Sequence, residues 1–174
     1  MAPRPSGQPI ERPIEIRAAS FPADRSAVLE IFSEYVASPK ADLTFQDYTR
    51  EFAQLPGSYA GPRGCILLAW VAGELAGCAA LRPVDAVIGE MKRVYVRPLA
   101  RGLGLGRQLV TTLIAQARNA GYHELRLDVL PEFTAARALY AQLGFVPAAP
   151  VSHNPIPGTA FLGIRLSAPE TFQR

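Results

Sequence analysis

The sequence predicts a single mixed α/β domain of α+β type, its elements running β-α-α-β-β-β-α-β-α-β-β. Three observations carry this. Apolar residues alternate with a period of two in some segments and recur at helical spacing in others. A turn at Ala72–Gly73 joins two apolar runs into a hairpin, so part of the sheet is antiparallel. Strand, helix and strand then follow one another between Glu90 and Val129, which is a β-α-β unit. Hairpins ahead of one such unit give a mixed sheet with helices on its faces, not a doubly wound parallel sheet.

Ile14-Glu15-Ile16-Arg17 alternates apolar and polar and reads as the first strand. After Pro22, Val28, Ile31, Phe32 and Tyr35 recur at helical spacing. A second, short helix follows: Thr44 and Asp47 fit a capping box, Phe45, Tyr48, Phe52 and Leu55 line one face, and Pro56–Gly57 stops it. The hairpin strands run from Cys65 to Val71 and from Glu74 to Leu81, and the next strand from Glu90 to Val96. A helix from Leu105 to Ala120 buries Leu105, Leu109, Val110, Leu113 and Ala117 and ends at Gly121. Leu125 to Val129 is a strand, and Phe133 to Leu143 a helix ended by Gly144. Phe145–Val146 and Phe161 to Leu166 are the last two strands, with a proline-broken loop between them.

At 174 residues, 49% hydrophobic and 19% charged, the chain is long enough for one domain with a sizeable core. Those figures exclude a collagen, a disordered chain and a disulfide-stapled miniprotein. The domain spans residues 14–168. Residues 1–13, with Pro3, Pro5 and Pro9, read as a disordered lead-in, and 169–174 as a C-terminal tail. The N-terminus lacks the apolar core of a secretory signal. The most apolar stretch, Cys65 to Leu81, is interrupted by Gly73, Glu74 and Gly77 short of the ~18 apolar residues of a membrane crossing. A hairpin turning near Gly73 sets Cys78 opposite Leu68 rather than Cys65, so both cysteines read as reduced, buried thiols of a cytoplasmic protein.

The net charge of +3 is too small to argue for nucleic acid. Lys92, Arg93, Arg97, Arg101 and Arg107 fall in one short window with only Tyr95 interleaved. A small polyanionic ligand suits that cluster better than a nucleic acid, and a solvated basic edge is the bland alternative. Neither a Cys/His metal spacing nor a Gly-x-Ser-x-Gly elbow occurs, so no metal is expected. Arg101-Gly102-Leu103-Gly104-Leu105-Gly106 lies after a strand and opens an amphipathic helix. Its glycines let the backbone approach a ligand and take positive φ, and free amides at the helix start make a phosphate site. It is not a Walker loop, because Arg107-Gln108 follows Gly106. A dinucleotide fingerprint would need glycine at Arg107, although Asp128 lies about where a ribose-binding acid would, which leaves a nicotinamide or flavin reading open.

The same loop resembles the Arg/Gln-x-x-Gly-x-Gly/Ala pyrophosphate loop of the GCN5-related N-acetyltransferases (GNAT). Glu90-Met91-Lys92-Arg93-Val94-Tyr95-Val96 resembles the fourth strand of that family, and the segment from Ala135 to Phe145 its fourth helix and exit. The three motifs stand in order, and the element order agrees from about Ile14 to Leu166.

The resemblance implies a co-substrate, acetyl-coenzyme A, held where strands four and five splay apart. Val94, Tyr95 and Val96 would pair with its pantetheine arm, and Arg101, Gly102, Leu103, Gly104, Leu105 and Gly106 would hold its pyrophosphate. An amide near Val94 would face the thioester oxygen, where negative charge develops during transfer. The implied reaction is acetylation of a primary amine, which is mostly protonated at neutral pH with a pKa near ~10.4 and needs a base. Glu90 and Asp128 stand where two branches of the family keep theirs; Glu90 is favoured because aspartate is one methylene shorter than the glutamate of the second branch. Tyr140 matches the tyrosine that protonates the departing thiolate, though it shares a helical face with Phe133, Ala136 and Leu143 and would also suit the core. Phe133 departs from the pattern, standing where many relatives have an asparagine for the pantetheine.

The implied acceptor pocket would draw on Tyr35, Phe45, Tyr48 and Ser152-His153-Asn154-Pro155. Small-molecule and protein amines are both open as acceptors, with no nucleic-acid or membrane partner. The family often forms homodimers, but no feature of this sequence decides the oligomeric state. The competing reading is a non-catalytic acyl-coenzyme A sensor, which would bind the co-substrate without turnover.

Overall fold

In the computed structural model, which describes residues 11–167, β1 (Ile14–Ala18) leads into helix α1 (Arg25–Ala37) and the short helix α2 (Tyr48–Ala53). There follow β2 (Cys65–Val71), β3 (Glu74–Pro83), β4 (Ile88–Val96), α3 (Leu105–Asn119), β5 (Glu124–Val129), α4 (Thr134–Gln142), β6 (Val146–Pro147) and β7 (Ala160–Arg165). The expected N-terminal lead-in up to residue 10 and the C-terminal tail lie outside the described residues. The strands form one sheet in the order β1-β2-β3-β4-β5-β7-β6. Only β4 and β5 run parallel, because α3 carries the chain across the sheet between them.

Alternation along the strands divides the core between the two faces. Ile66, Leu68 and Ala80 pack with Val28, Ile31 and Phe32 of α1. Leu67, Ala69, Ala79 and Leu81 pack with Leu105, Leu109, Leu113 and Ala117 of α3. Each fully buried leucine here is worth about 1.5–3 kcal/mol relative to exposure. No helix of the described residues is long and apolar enough to cross a membrane. Leu68 stands opposite Cys78, as expected, and Cys65 opposite Leu81; a register shift between Ala69 and Trp70 separates these pairs from the turn. Both cysteines are free, but Cys65 is half-buried rather than buried. Burial pushes its thiol up to about 11 and that of Cys78 higher, which leaves both largely protonated and unreactive.

The expected capping box does not form. Thr44–Gln46 is a separate 3-10 turn, and Asp47, left-handed at φ 50°, divides it from α2. The Asp42 carboxylate accepts from the Thr44 amide at 2.9 Å instead. Phe45 is thereby turned onto His153, with ring centroids 6.3 Å apart, while Tyr48 packs on Phe52. Other boundaries differ from expectation by one or two residues, the usual fraying of element ends.

The parallel strands part company early. They pair only at Ile88–Glu124, Gly89–Leu125 and Glu90–Arg126, after which β4 and β5 diverge. A bulge in β4 accompanies the divergence: the β3–β4 register shifts between Cys78 and Ala80, and Arg93 sits at φ 59°. A bulge of this kind bends its strand and takes a residue out of the ladder. The Arg93 carbonyl accepts instead from the buried Cys78 thiol at 3.0 Å. Beyond the bulge, Arg97 fastens the end of β4 to α1 through Glu30 and Glu34 and to the Leu75 carbonyl at 2.7 Å.

Gly77 lies against this bulge for steric reasons. A Cβ there would stand 2.7 Å from the Tyr95 carbonyl oxygen and 3.2 Å from Leu109. Gly77→Ala is expected to destabilise the protein by about 1–3 kcal/mol through overpacking. Urea denaturation measures it, and a loss below ~0.5 kcal/mol would mean that the β3–β4 crossing yields without cost.

Candidate active site

The diverging strands enclose a cavity of about 750 Å³. One wall is β4 from Met91 to Val96; the other is Leu127 to Val129 of β5, with Phe133, Ala136, Leu139 and Tyr140 closing it from the α4 side. The glycine loop forms its mouth. Gly102 and Gly104 take φ of 83° and 76°, which only glycine adopts without strain. Gly104 is the N-cap of α3, and no side chain caps the first turn, which carries no acidic residue. Free amides and the positive end of a 15-residue helix therefore face the cavity. Gly106 is already helical and has no positive φ; a Cβ there would touch only Leu139 at 3.6 Å. Leu103 is 41% exposed, and its side chain turns away from the cavity that its neighbours line.

The basic window divides in two. Arg101 and Arg107 stay at the mouth, the first donating to the Val96 carbonyl at 3.1 Å and the second to Gln142. Arg97 is committed to α1, as described, and Arg93 is structural despite touching the cavity. Arg93 is 2% exposed, bonded through Nε and a terminal nitrogen to Glu51 Oε2 at 3.1 and 2.7 Å, and through the other to Gln46. Its guanidinium also lies over the Tyr35 ring at 5.3 Å. The cluster read from sequence as one ligand surface is thus largely a set of internal ties, because acidic residues distant in the chain fold against it.

Tyr140 is 4% exposed, on the cavity wall, with its ring against Phe145 at 5.6 Å. Its hydroxyl has no hydrogen-bond partner among the described residues, and burial pushes the phenol well above its ordinary pKa. Tyr35 on the same cavity is pushed up to about 12, again mainly by burial.

The two candidate carboxylates have different surroundings. Asp128 lines the cavity, and its Oδ2 accepts from Asn154 Nδ2 at 2.6 Å. Glu90 is not among the residues that wall the cavity. It is 2% exposed; Oε2 accepts from Arg82 at 3.0 Å and Oε1 from Ser152 at 3.0 Å, with Lys92 Nζ 3.9 Å away. Of the expected acceptor-side residues, Tyr35 and Asn154 line the cavity, Ser152 serves Glu90, and His153 is exposed beside Phe45. The sequence reading missed Gln46 on the wall and named Lys92 only as part of the basic cluster suited to a polyanionic ligand. Lys92 had a signal, since it stands two residues from Glu90 and shares its face. Gln46 had none, because only the 3-10 turn brings it against β4. Among the described residues no group of His, Cys, Asp and Glu could hold a metal ion.

Comparison with known proteins agrees with this geometry. Residues 26–145 match the model of the Acetyltransferase (GNAT) family. An uncharacterised N-acetyltransferase of Schizosaccharomyces pombe is 36% identical over 156 residues, which cover 88% of this chain and 96% of that one. A putative acetyltransferase of Salmonella typhimurium, solved with its cofactor acetyl-CoA, superposes with a TM-score of 0.62 at 27% identity, covering 88% of this chain and 94% of that chain. The ribosomal-protein-S18-alanine N-acetyltransferase of Escherichia coli shares the fold, with a TM-score of 0.65 at 23% identity, covering 92% and 99%.

Proposed function

Because this chain belongs to the GNAT family of acetyltransferases, an enzyme family that uses acetyl-coenzyme A, we propose that it transfers an acetyl group directly to a primary amine within a ternary complex. Tyr140 carries the reading: a protonated phenol on the wall of the splay, without a hydrogen-bond partner among the described residues, has a proton to give. Membership of this family also sets aside the nicotinamide or flavin reading of Asp128.

Bound acetyl-coenzyme A supplies an activated acyl carbonyl and a thiolate leaving group. The residues fit it: the α3 amides with Gly102, Gly104, Arg101 and Arg107 suit a diphosphate, and the unpaired edge of β4 at Val94, Tyr95 and Val96 suits an amide-bearing arm. Phe133, on the cavity wall, offers apolar contact in place of a hydrogen bond. The Val94 amide polarises the thioester oxygen. Asp128, held by Asn154, takes a proton from the acceptor amine as its nitrogen bonds to the acyl carbon. The carbon–sulfur bond breaks, and Tyr140 donates its proton to the sulfur. Glu90, with both oxygens occupied by Arg82 and Ser152, supports the closed end of the splay, so the base role passes to Asp128. Two free thiols suit a reducing, cytoplasmic setting.

The test is thermal unfolding with acetyl-coenzyme A followed by release of free coenzyme A thiol with a panel of amines. Ligand at a hundredfold over Kd should stabilise the protein by ~2.7 kcal/mol. No stabilisation would sink the reading; stabilisation with no thiol release from any amine would favour the sensor.

A further inference from the structure

Lys92 stands apart from the arginines around the cavity. Arg82, Arg93, Arg97, Arg101 and Arg107 each donate hydrogen bonds to protein oxygens. Lys92 is 9% exposed on the cavity wall and makes no hydrogen bond among the described residues. Its nearest carboxylate oxygen, Glu90 Oε1 at 3.9 Å, already accepts from Ser152. The ammonium is not sealed in, since the fully enclosed, partnerless side-chain atoms of the described residues are those of Trp70 and Arg118. Burial draws Lys92 below the ordinary lysine pKa, with Glu90 and Asp128 pulling the other way. A buried cation without hydrogen bonds is costly, and a ligand anion would remove that cost.

Its place in the fold says which ligand. Lys92 lies four residues before Val96, across the bulge from the glycine-loop end of β4. It is next to the closed end, where β4 and β5 still pair, and lines the same cavity as Gln46, Asp128 and Asn154; Asp128, which Asn154 holds, is near enough to act on its charge. The donor diphosphate belongs at the other end, with Arg101 and Arg107. An anion at Lys92 therefore comes with the acceptor. We infer that the acceptor is a small primary amine that itself carries an anionic group, a carboxylate or a phosphate, seated on Lys92 while its amine faces Asp128. This rests on the acetyl-transfer reading above and narrows it.

The experiment measures kcat/KM from thiol release for paired acceptors: amino acids against their neutral amides, and phosphoethanolamine against ethanolamine. One charge-assisted hydrogen bond gives the anionic member of the favoured pair an advantage of about tenfold or more. The pair that shows it tells carboxylate from phosphate. Lys92→Met should collapse that ratio towards one, Lys92→Glu should invert it, and Lys92→Arg should restore part of it. Binding of acetyl-coenzyme A by each variant, read by thermal shift, shows that the splay is intact. Equal turnover of charged and neutral members overturns the inference, as does a ratio that survives Lys92→Met. So does a wild type that binds acetyl-coenzyme A but acetylates only peptide N-termini or none of the charged amines. Failure to bind acetyl-coenzyme A at all would instead bring down the acetyl-transfer reading.

Discussion

Tyr140→Phe is expected to lower kcat by about 10²-fold or more, the usual worth of a positioned general acid. The substitution is clean. It keeps the ring and its contact with Phe145 and removes a hydroxyl that bonds to nothing among the described residues. No partner is stranded, so stability should change by less than about 0.5–1 kcal/mol. Thermal unfolding with and without acetyl-coenzyme A checks that fold and co-substrate binding persist. The pH dependence follows from the sign of the shift. Burial disfavours the phenolate, so Tyr140 keeps its proton to pH values above the ~10 of free tyrosine, and no alkaline fall below that comes from it. Transfer from such a phenol to the thiolate of a thiol near ~8.5 is uphill, so Tyr140 must recover a proton from solvent or a neighbour before the next turnover. Unchanged kcat in the variant would mean that water or a neighbour supplies the proton.

Arg93→Met should produce the largest loss of stability, about 3–5 kcal/mol, because it breaks a buried ion pair by removing one partner. Glu51 would keep the Tyr59 hydroxyl and lose both guanidinium bonds, with its side chain only 14% exposed. The Tyr35 ring would lose the cation above it. Arg93→Met with Glu51→Gln should recover part of the loss, since it removes the unpaired buried charge and leaves an acceptor for the Tyr59 hydroxyl. Urea denaturation of both single variants and the double variant gives the coupling directly. A single-variant loss under about 1 kcal/mol would show that the Glu51 carboxylate reaches water instead. Gln46 and Tyr35 depend on Arg93 for their places on the cavity wall, so surviving Arg93→Met protein should show a raised acceptor KM more than a changed kcat.

Much of this was legible in the sequence where interactions are local. The Ala72–Gly73 turn located the hairpin, and Cys78 does stand opposite Leu68, although a register shift between Ala69 and Trp70 lies between the turn and that pair. The apolar spacing from Leu105 to Ala117 located α3 and its buried face, and the alternate glycines located the uncapped helix start. Thr44 and Asp47 misled, because a capping-box pattern is only permissive and the Asp42 carboxylate was a nearer acceptor for the Thr44 amide. The basic window misled differently. A run of charges says nothing of the acids that will meet it, and Glu30, Glu34 and Glu51 are far off in the chain.

By itself, the sequence determined the order of elements, the place of the hairpin turn and the glycine-rich start of α3. Those depend on periodicity and backbone preference, which act over a few residues. Only the tertiary structure decided that Asp128 lines the cavity while Glu90 is held by Arg82 and Ser152, and that Lys92 is left without a hydrogen bond among the described residues. Those outcomes hang on where β4 and β5 stop pairing and on the distant side chains that meet them there, Arg82 from β3 and Ser152 and Asn154 from the segment before β7. Such meetings are set by packing between segments far apart in the chain, which no local pattern reports.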